Sequence, residues 1–220
     1  MAKTGSESAF FYGTLMHPKI LRRVIKNDGK HLKICPAVLS DYTRHRIRNE
    51  DYPGLVPYDK GKKLLNRELA PDERCTRGTL VIGLTAADLR RVDAFEEEGD
   101  VYIREAVRIR ALEEPITLEE FVDEEGHDRD LVERIMPTHL PISEILEKIE
   151  SEAVETETYV YQDVTVLESE LWSFADFLRD KASPWLDGSR QEYYDTDPEP
   201  KEGPETEFDR RIRQSDGVTA

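Results

Sequence analysis

The chain has 220 residues, long enough to bury a substantial core in one domain with additions and short for two full domains. Its 47 Asp and Glu residues against 31 Lys and Arg give a formal charge of −16, which repels nucleic-acid phosphates and anionic membrane surfaces. A hydrophobic fraction of 38% and a mean hydropathy of −0.65 are low for a compact globule, so part of the chain is expected to lie outside the packed core.

The N-terminal "MAKTGSES" lacks the apolar centre of a signal peptide, and no stretch approaches the roughly 20 apolar residues that cross a bilayer. A cytoplasmic protein is the expectation. "SAFFYGTL" reads as a short buried strand interrupted at Gly13. "HPKILRRVIKN" follows, with Ile20, Leu21, Val24 and Ile25 at helical spacing and Pro18 admissible in the first turn. The opening unit is therefore strand, glycine loop, helix. "KICPAVLSDYTRHRI" alternates as a strand, and the prolines of "YPGLVPYDKG" mark a bent or edge segment. "RGTLVIGL", residues 77–84, is another β-rich run.

"TAADLRRVDAFEEEG", residues 85–99, predicts a helix capped by Thr85 with Asp88 three residues on, stopped at Gly99. "VYIREAVRIRAL" and "TETYVYQDVTVL" predict strands, and "ESELWSFADFLRDKASPWL" a helix presenting Leu171, Trp172, Phe174, Ala175 and Leu178 to the sheet. Two stretches interrupt this reading. Residues 113–156 are rich in Glu and Asp, with modest helical patterning in "SEILEKIESE", and read as an acidic surface insertion between strands. Residues 187–220, where proline, glycine and charge dominate, read as a flexible acidic tail. Residues 1–186 are thus expected to form the domain.

Within the 85–99 helix, Leu89 and Val92 form a core-facing stripe, and Glu96, seven residues after the first and four after the second, continues it. A carboxylate on an apolar face near a helix C-terminus holds its proton more tightly than an exposed one, which suits a general base near neutral pH. The alternative is an early helix end that leaves Glu96 solvated within the "EEE" run. The glycine loop likewise reads either as a bare turn or as a ligand cradle. Backbone N–H groups at a helix start form a natural site for a carboxylate or a developing oxyanion.

Cys35 and Cys75 form no CxxC or Cys/His cluster, so neither a metal site nor a disulfide framework is expected. Nothing places either thiol near a base, and each reads as a buried or edge cysteine. The histidines are scattered, and His17, the one near the proposed site, reads as a polar helix start whose backbone could line the pocket. Trp172 and Trp185 are expected to pack against the sheet, and "RRIR" near the C-terminus to be solvated.

Taken in order, "YGTL", "YPGLVP", "GLTAADLRRVDAFEEEGDVYIREAVRI", "YVY" and a tryptophan-bearing helix resemble the γ-glutamylcyclotransferase-like superfamily. The nearest branch is that of plant avirulence-induced-gene proteins and γ-glutamylaminecyclotransferases. The resemblance covers residues 8–112 and 157–186. It implies an α+β fold, a small mixed five- to seven-stranded β-barrel flanked by helices, with a pocket between the glycine loop and a catalytic glutamate.

By motif, Tyr12, Gly13, Thr14, Leu15, Met16 and His17 correspond to the γ-glutamyl-binding turn, and Glu96, after the aromatic of "DAFE", to the acid/base. The "EEEG" run leaves a shift to Glu97 or Glu98 open, while helix phase favours Glu96. Tyr102 is placed near the pocket and Arg104 in a structural ion pair. The implied reaction is attack of a γ-glutamyl α-amine on its own side-chain carbonyl, releasing 5-oxoproline and a free amine, with no cofactor and a small γ-glutamyl molecule as the partner. Oligomeric state stays open. The same fold is also compatible with ring opening, isomerisation or detoxification, or with a non-catalytic binding protein, because a fold does not fix its chemistry.

Overall fold

The structure, a computed structural model, describes residues 7–71, 73–121, 128–135, 137, 152–187 and 189–190. Its strands are β1 (Glu7–Phe11), β2 (Lys33–Ser40), β3 (Tyr42–Ile47), β4 (Pro53–Pro57), β5 (Cys75–Leu84), β6 (Tyr102–Ala111), β7 (Ile116–Thr117), β8 (Val154–Tyr161) and β9 (Leu167–Leu171). Its helices are α1 (Pro18–Ile25), α2 (Tyr58–Leu65), α3 (Ala86–Phe95), α4 (Leu118–Phe121), α5 (Asp128–Ile135), α6 (Phe174–Asp180) and α7 (Ala182–Asp187).

Five strands close into a barrel. β1 runs antiparallel to β5, from Glu7↔Leu84 to Phe11↔Thr79, and meets β8 in parallel at Ala9↔Glu157. β8 is antiparallel to β6 from Tyr102↔Tyr161 to Ile109↔Val154. β6 pairs β2, and β2 runs back along β5 from Lys33↔Ile82 to Ser40↔Cys75, which completes the ring. Closure removes the unpaired edges that an open sheet would leave. The mixed barrel flanked by helices is as the resemblance implies. β7 adds to β2, and a separate three-stranded sheet has the order β4-β3-β9.

Alternation along the strands divides the core in two. Phe10, Cys35, Ala37, Leu39, Leu80, Val107 and Ile109 form one cluster drawn from four strands of the ring, and we read it as the barrel filling. Ala9, Phe11, Ile34 and Val81 belong to a second cluster with α1, α3, α6 and α7. Strands buried on both faces read as nearly continuous apolar runs. Cys35 is buried in the first cluster, and that burial, with the charges of Glu113 and Glu114, pushes its thiol up to about 12; the thiolate needed for nucleophilic chemistry is absent near neutral pH.

Several elements differ from the sequence reading. The run 33–47 is two strands, because Asp41 takes a left-handed φ of 58° and turns the chain between them. "YPGLVPYDKG" forms the edge strand β4, as expected, but then enters α2. The single helix expected over 168–186 is instead β9, α6 and α7. Leu167 and Leu171 pair with Ile47 and His45, and Ser173 caps α6 by accepting from the Asp176 N–H at 3.3 Å. Leu171 consequently points away from the core and is exposed, whereas Trp172, Phe174 and Leu178 are buried. Within the acidic stretch 113–156, β7 pairs with β2, and Leu118, Phe121 and Ile135 enter the helix-side core. "SEILEKIESE", apart from its final residue, and the tail beyond residue 190 lie outside the described residues.

Candidate active site

β1 ends at Phe11, and Tyr12 and Gly13 lead into a single 3-10 turn, Thr14–Met16, before α1 begins at Pro18. A Cβ on Gly13 would lie 3.1 Å from both Cγ and Cδ of Pro53, so the turn approaches β4 this closely because residue 13 has no side chain. Gly13→Ala is expected to lower stability by about 1–2 kcal/mol by displacing Pro53, a shift readable in urea unfolding. The N–H groups of Met16 and His17 donate back to the carbonyls of Gly13 (3.1 Å) and Thr14 (3.0 Å). Those of Gly13, Thr14 and Leu15 precede Met16, the first donor of the turn, and have no partner within it.

α3 starts with the predicted capping box. Thr85 Oγ1 accepts from the Asp88 N–H at 3.1 Å, and Asp88 Oδ2 accepts from the Thr85 N–H at 2.9 Å. Asp88 also accepts from Asn27 at 2.7 Å, tying the end of α1 to the start of α3. The helix ends at Phe95, four residues before Gly99. The Glu97 N–H donates to Ala94 O at 3.3 Å and the Glu98 N–H to Asp93 O at 2.9 Å, while Glu97 adopts φ +47°. This is a Schellman stop with a non-glycine residue in the left-handed position. Glu96, at the cap, still donates its N–H to Val92 O at 2.9 Å. It therefore keeps helical phase, and its carboxyl enters the cleft although the helix is shorter than predicted.

The cleft has a volume of about 570 Å³ including its open mouth. Tyr12, Gly13, Thr14 and Leu15 line it together with Glu96, Tyr102, Tyr52, Pro53, Phe95, Glu97, Val101, Tyr159, Phe11 and Trp185. The structure thus brings the turn, Glu96 and Tyr102 together. It does not bring Met16 or His17 there. The 3-10 turn rotates Met16 into the core with no exposure, and His17 caps α1, its Nδ1 accepting from the Lys19 N–H at 3.1 Å. Glu97 reaches the cleft from an exposed position, whereas Glu98 is not among its lining residues.

Glu96 is half-buried. Desolvation, with a further contribution from the negative charge of Asp93 one turn earlier, raises its carboxyl from 4.5 to about 8. Asp93 sits in a buried network of its own: it accepts from the Tyr159 hydroxyl at 2.7 Å and lies 3.4 Å from an Arg104 nitrogen. Arg104 also reaches Glu157 at 3.3 Å, so its role is the ion pairing expected of it. The phenols brace the walls. Tyr12 donates to Tyr159 O at 2.6 Å and Tyr102 to Pro53 O at 2.9 Å. Burial holds both well above the usual phenol range, so both remain proton donors.

A family model described as gamma-glutamyl cyclotransferase, AIG2-like, matches residues 9–138, more than half of the chain. The chain belongs to this family. Among curated members, Protein AIG2 C of Arabidopsis thaliana is 25% identical over 119 residues, covering 53% of this chain and 61% of that protein. AIG2-like protein C of the same plant is 27% identical over 124 residues, covering 56% and 62%. The chain therefore spans about three-fifths of the length of these relatives. A yeast γ-glutamyl cyclotransferase specific to glutathione, known from a crystal structure, aligns over 96% of this chain and 97% of its own, with a TM-score of 0.43 and 13% identity. So loose a likeness assigns no role to any residue.

The family match includes the glycine turn, β4, Glu96 and Tyr102, but Tyr159 and Trp185 lie beyond its end. Sequence reading left Tyr52, Val101, Tyr159 and Trp185 out of the site. "YPGLVP", one of the motifs that carry the resemblance, holds Tyr52 and Pro53. For Tyr159 and Trp185 no local pattern separates a pocket wall from ordinary core.

Proposed function

We propose that this chain is a γ-glutamylcyclotransferase that converts a γ-glutamyl amine or peptide to 5-oxoproline and a free amine. The observation carrying this reading is that Glu96, a desolvated carboxyl, lines the same cleft as Gly13, Thr14 and Leu15, whose N–H groups have no partner within the turn. Family membership supports the same chemistry.

In this mechanism the N–H groups of Gly13, Thr14 and Leu15 hold the γ-glutamyl end and stabilise the oxyanion as the side-chain carbonyl is attacked. Ionised Glu96 accepts a proton from the α-ammonium, freeing the amine to attack its own γ-carbonyl. A new C–N bond closes the five-membered ring. The tetrahedral centre then collapses, the old C–N bond breaks, protonated Glu96 gives its proton to the departing nitrogen, and the ring nitrogen gives up its second proton, which the released amine carries away as its ammonium. Both reacting groups belong to one molecule, so holding it folded supplies much of the rate. Tyr12 and Tyr102 act as walls, because both hydroxyls already donate to backbone carbonyls.

The pH dependence follows from the state of Glu96. Only its ionised form is the base, so kcat/KM is expected to fall about tenfold per pH unit below a midpoint near 8. A pH–rate profile of 5-oxoproline release checks this. The proposal itself is tested with a panel of γ-glutamyl amides and peptides, with 5-oxoproline measured by chromatography. Product from at least one supports the reading; folded protein that yields none from any of them counts against it.

A further inference from the structure

Two parts of a γ-glutamyl substrate are provided for in the proposed mechanism, the γ-glutamyl end with its developing oxyanion by the turn and the ammonium by Glu96. The remaining lining of the cleft is largely aromatic. Tyr52 and Phe95 each stand edge-on to Trp185, with centroids 6.5 and 6.3 Å away and planes at 86° and 70°. Trp185 is buried, while Tyr52, Phe95 and Val101 are half-buried, and all four line the cleft. Arg23 fixes the backbone of this wall by donating to the carbonyls of Trp185 (2.7 Å) and Leu186 (2.9 Å). The Trp185 ring, on which Tyr52 and Phe95 stand, thus sits on an anchored stretch of backbone.

Charge in the cleft has one sign. Among the described residues, the ionisable carboxyls lining it are Glu96 and Glu97, and no Lys, Arg or His lines it. A second carboxylate, carried on the released amine, would lose water without gaining a cation and would face Glu97. An apolar ring in the same place would pack edge or face against Tyr52 and Phe95. We infer that, granted the cyclisation proposed above, the amine released is an arylalkylamine bearing no carboxylate, seated against Tyr52 and Phe95. The substrate class is then a γ-glutamyl arylalkylamide rather than a γ-glutamyl peptide.

The test compares 5-oxoproline release from γ-glutamylphenethylamide, γ-glutamylmethylamide, γ-glutamylalanine and glutathione. The phenethylamide is expected to exceed the methylamide about tenfold in kcat/KM, from its ring contacts. It is expected to exceed glutathione and γ-glutamylalanine about a hundredfold, from the unpaired carboxylate. Tyr52→Ala should remove most of the phenethylamide-to-methylamide ratio, and Tyr52→Phe should keep it. The wild-type ratios decide the matter even where Tyr52→Ala does not fold. Glutathione or γ-glutamylalanine turned over as fast as the phenethylamide overturns this inference and leaves the cyclisation standing. No 5-oxoproline from any of the four overturns the cyclisation itself, and this inference with it.

Discussion

Glu96→Gln is expected to lower 5-oxoproline release by two to four orders of magnitude, about the contribution of a well-placed general base, and to raise stability at alkaline pH. The two effects share one cause. The folded protein holds a proton on Glu96 up to about pH 8, whereas an unfolded chain releases it above the ordinary value of 4.5. Between these limits the native state binds more protons, so the Glu96 contribution to stability falls as pH rises and is most unfavourable above pH 8. Glutamine keeps the shape of the side chain and removes the ionisation. Urea unfolding at pH 9 should show the variant more stable than the parent by a few kcal/mol. Lost activity with unchanged alkaline stability would mean that Glu96 is not a desolvated carboxyl. Gained stability with retained activity would mean that another group is the base.

Trp185→Ala is expected to cost about 3–5 kcal/mol, the range for deleting a large aromatic from a packed core. Trp185 is 1% exposed and contacts three rings, Tyr52, Phe95 and Phe177, the last at 6.3 Å. Its loss leaves a cavity between α7 and the end of α3, directly behind the residue that precedes Glu96. Phe95 can then lean into that space, so kcat should fall further than an equal loss of stability elsewhere would produce. By contrast, Arg190→Ala removes a partly exposed cation that lies 5.5 Å from the same ring and pairs with Asp51 at 2.6 Å. A change of less than about 1 kcal/mol is expected there. Denaturant midpoints of the two variants, measured side by side, check both statements.

How much was legible in the sequence differs by element. The opening strand, glycine turn and helix were readable because each carries a local signal: an apolar run, a glycine, and Pro18 after a capping His17. The box of Thr85 and Asp88 likewise fixes the start of α3 from two residues. Its observed end precedes the predicted one because Glu97 already takes a φ of +47°, two residues before Gly99, and a non-glycine there gives no sequence warning. Glu96 nevertheless faces the cleft, since its phase was set by Leu89 and Val92 upstream of the stop. Motif continuity places Met16 and His17 in the turn, but a 3-10 turn advances side chains by a different angle from an extended loop, which sends Met16 into the core. Local patterning reads β9 as helix because "ESEL" has no strong β-formers, and its pairing with β3 is a long-range contact that local preference does not encode. The same holds for Tyr159 and Trp185, which reach the cleft only through barrel closure and the docking of α7.

Glu96 as a proton-holding group beside the glycine turn is the centre of the account, and a carbon-13 titration of its side-chain carboxyl in the free protein tests it most directly. The predicted midpoint is about 8; a midpoint near the ordinary glutamate value of 4.5 would contradict it.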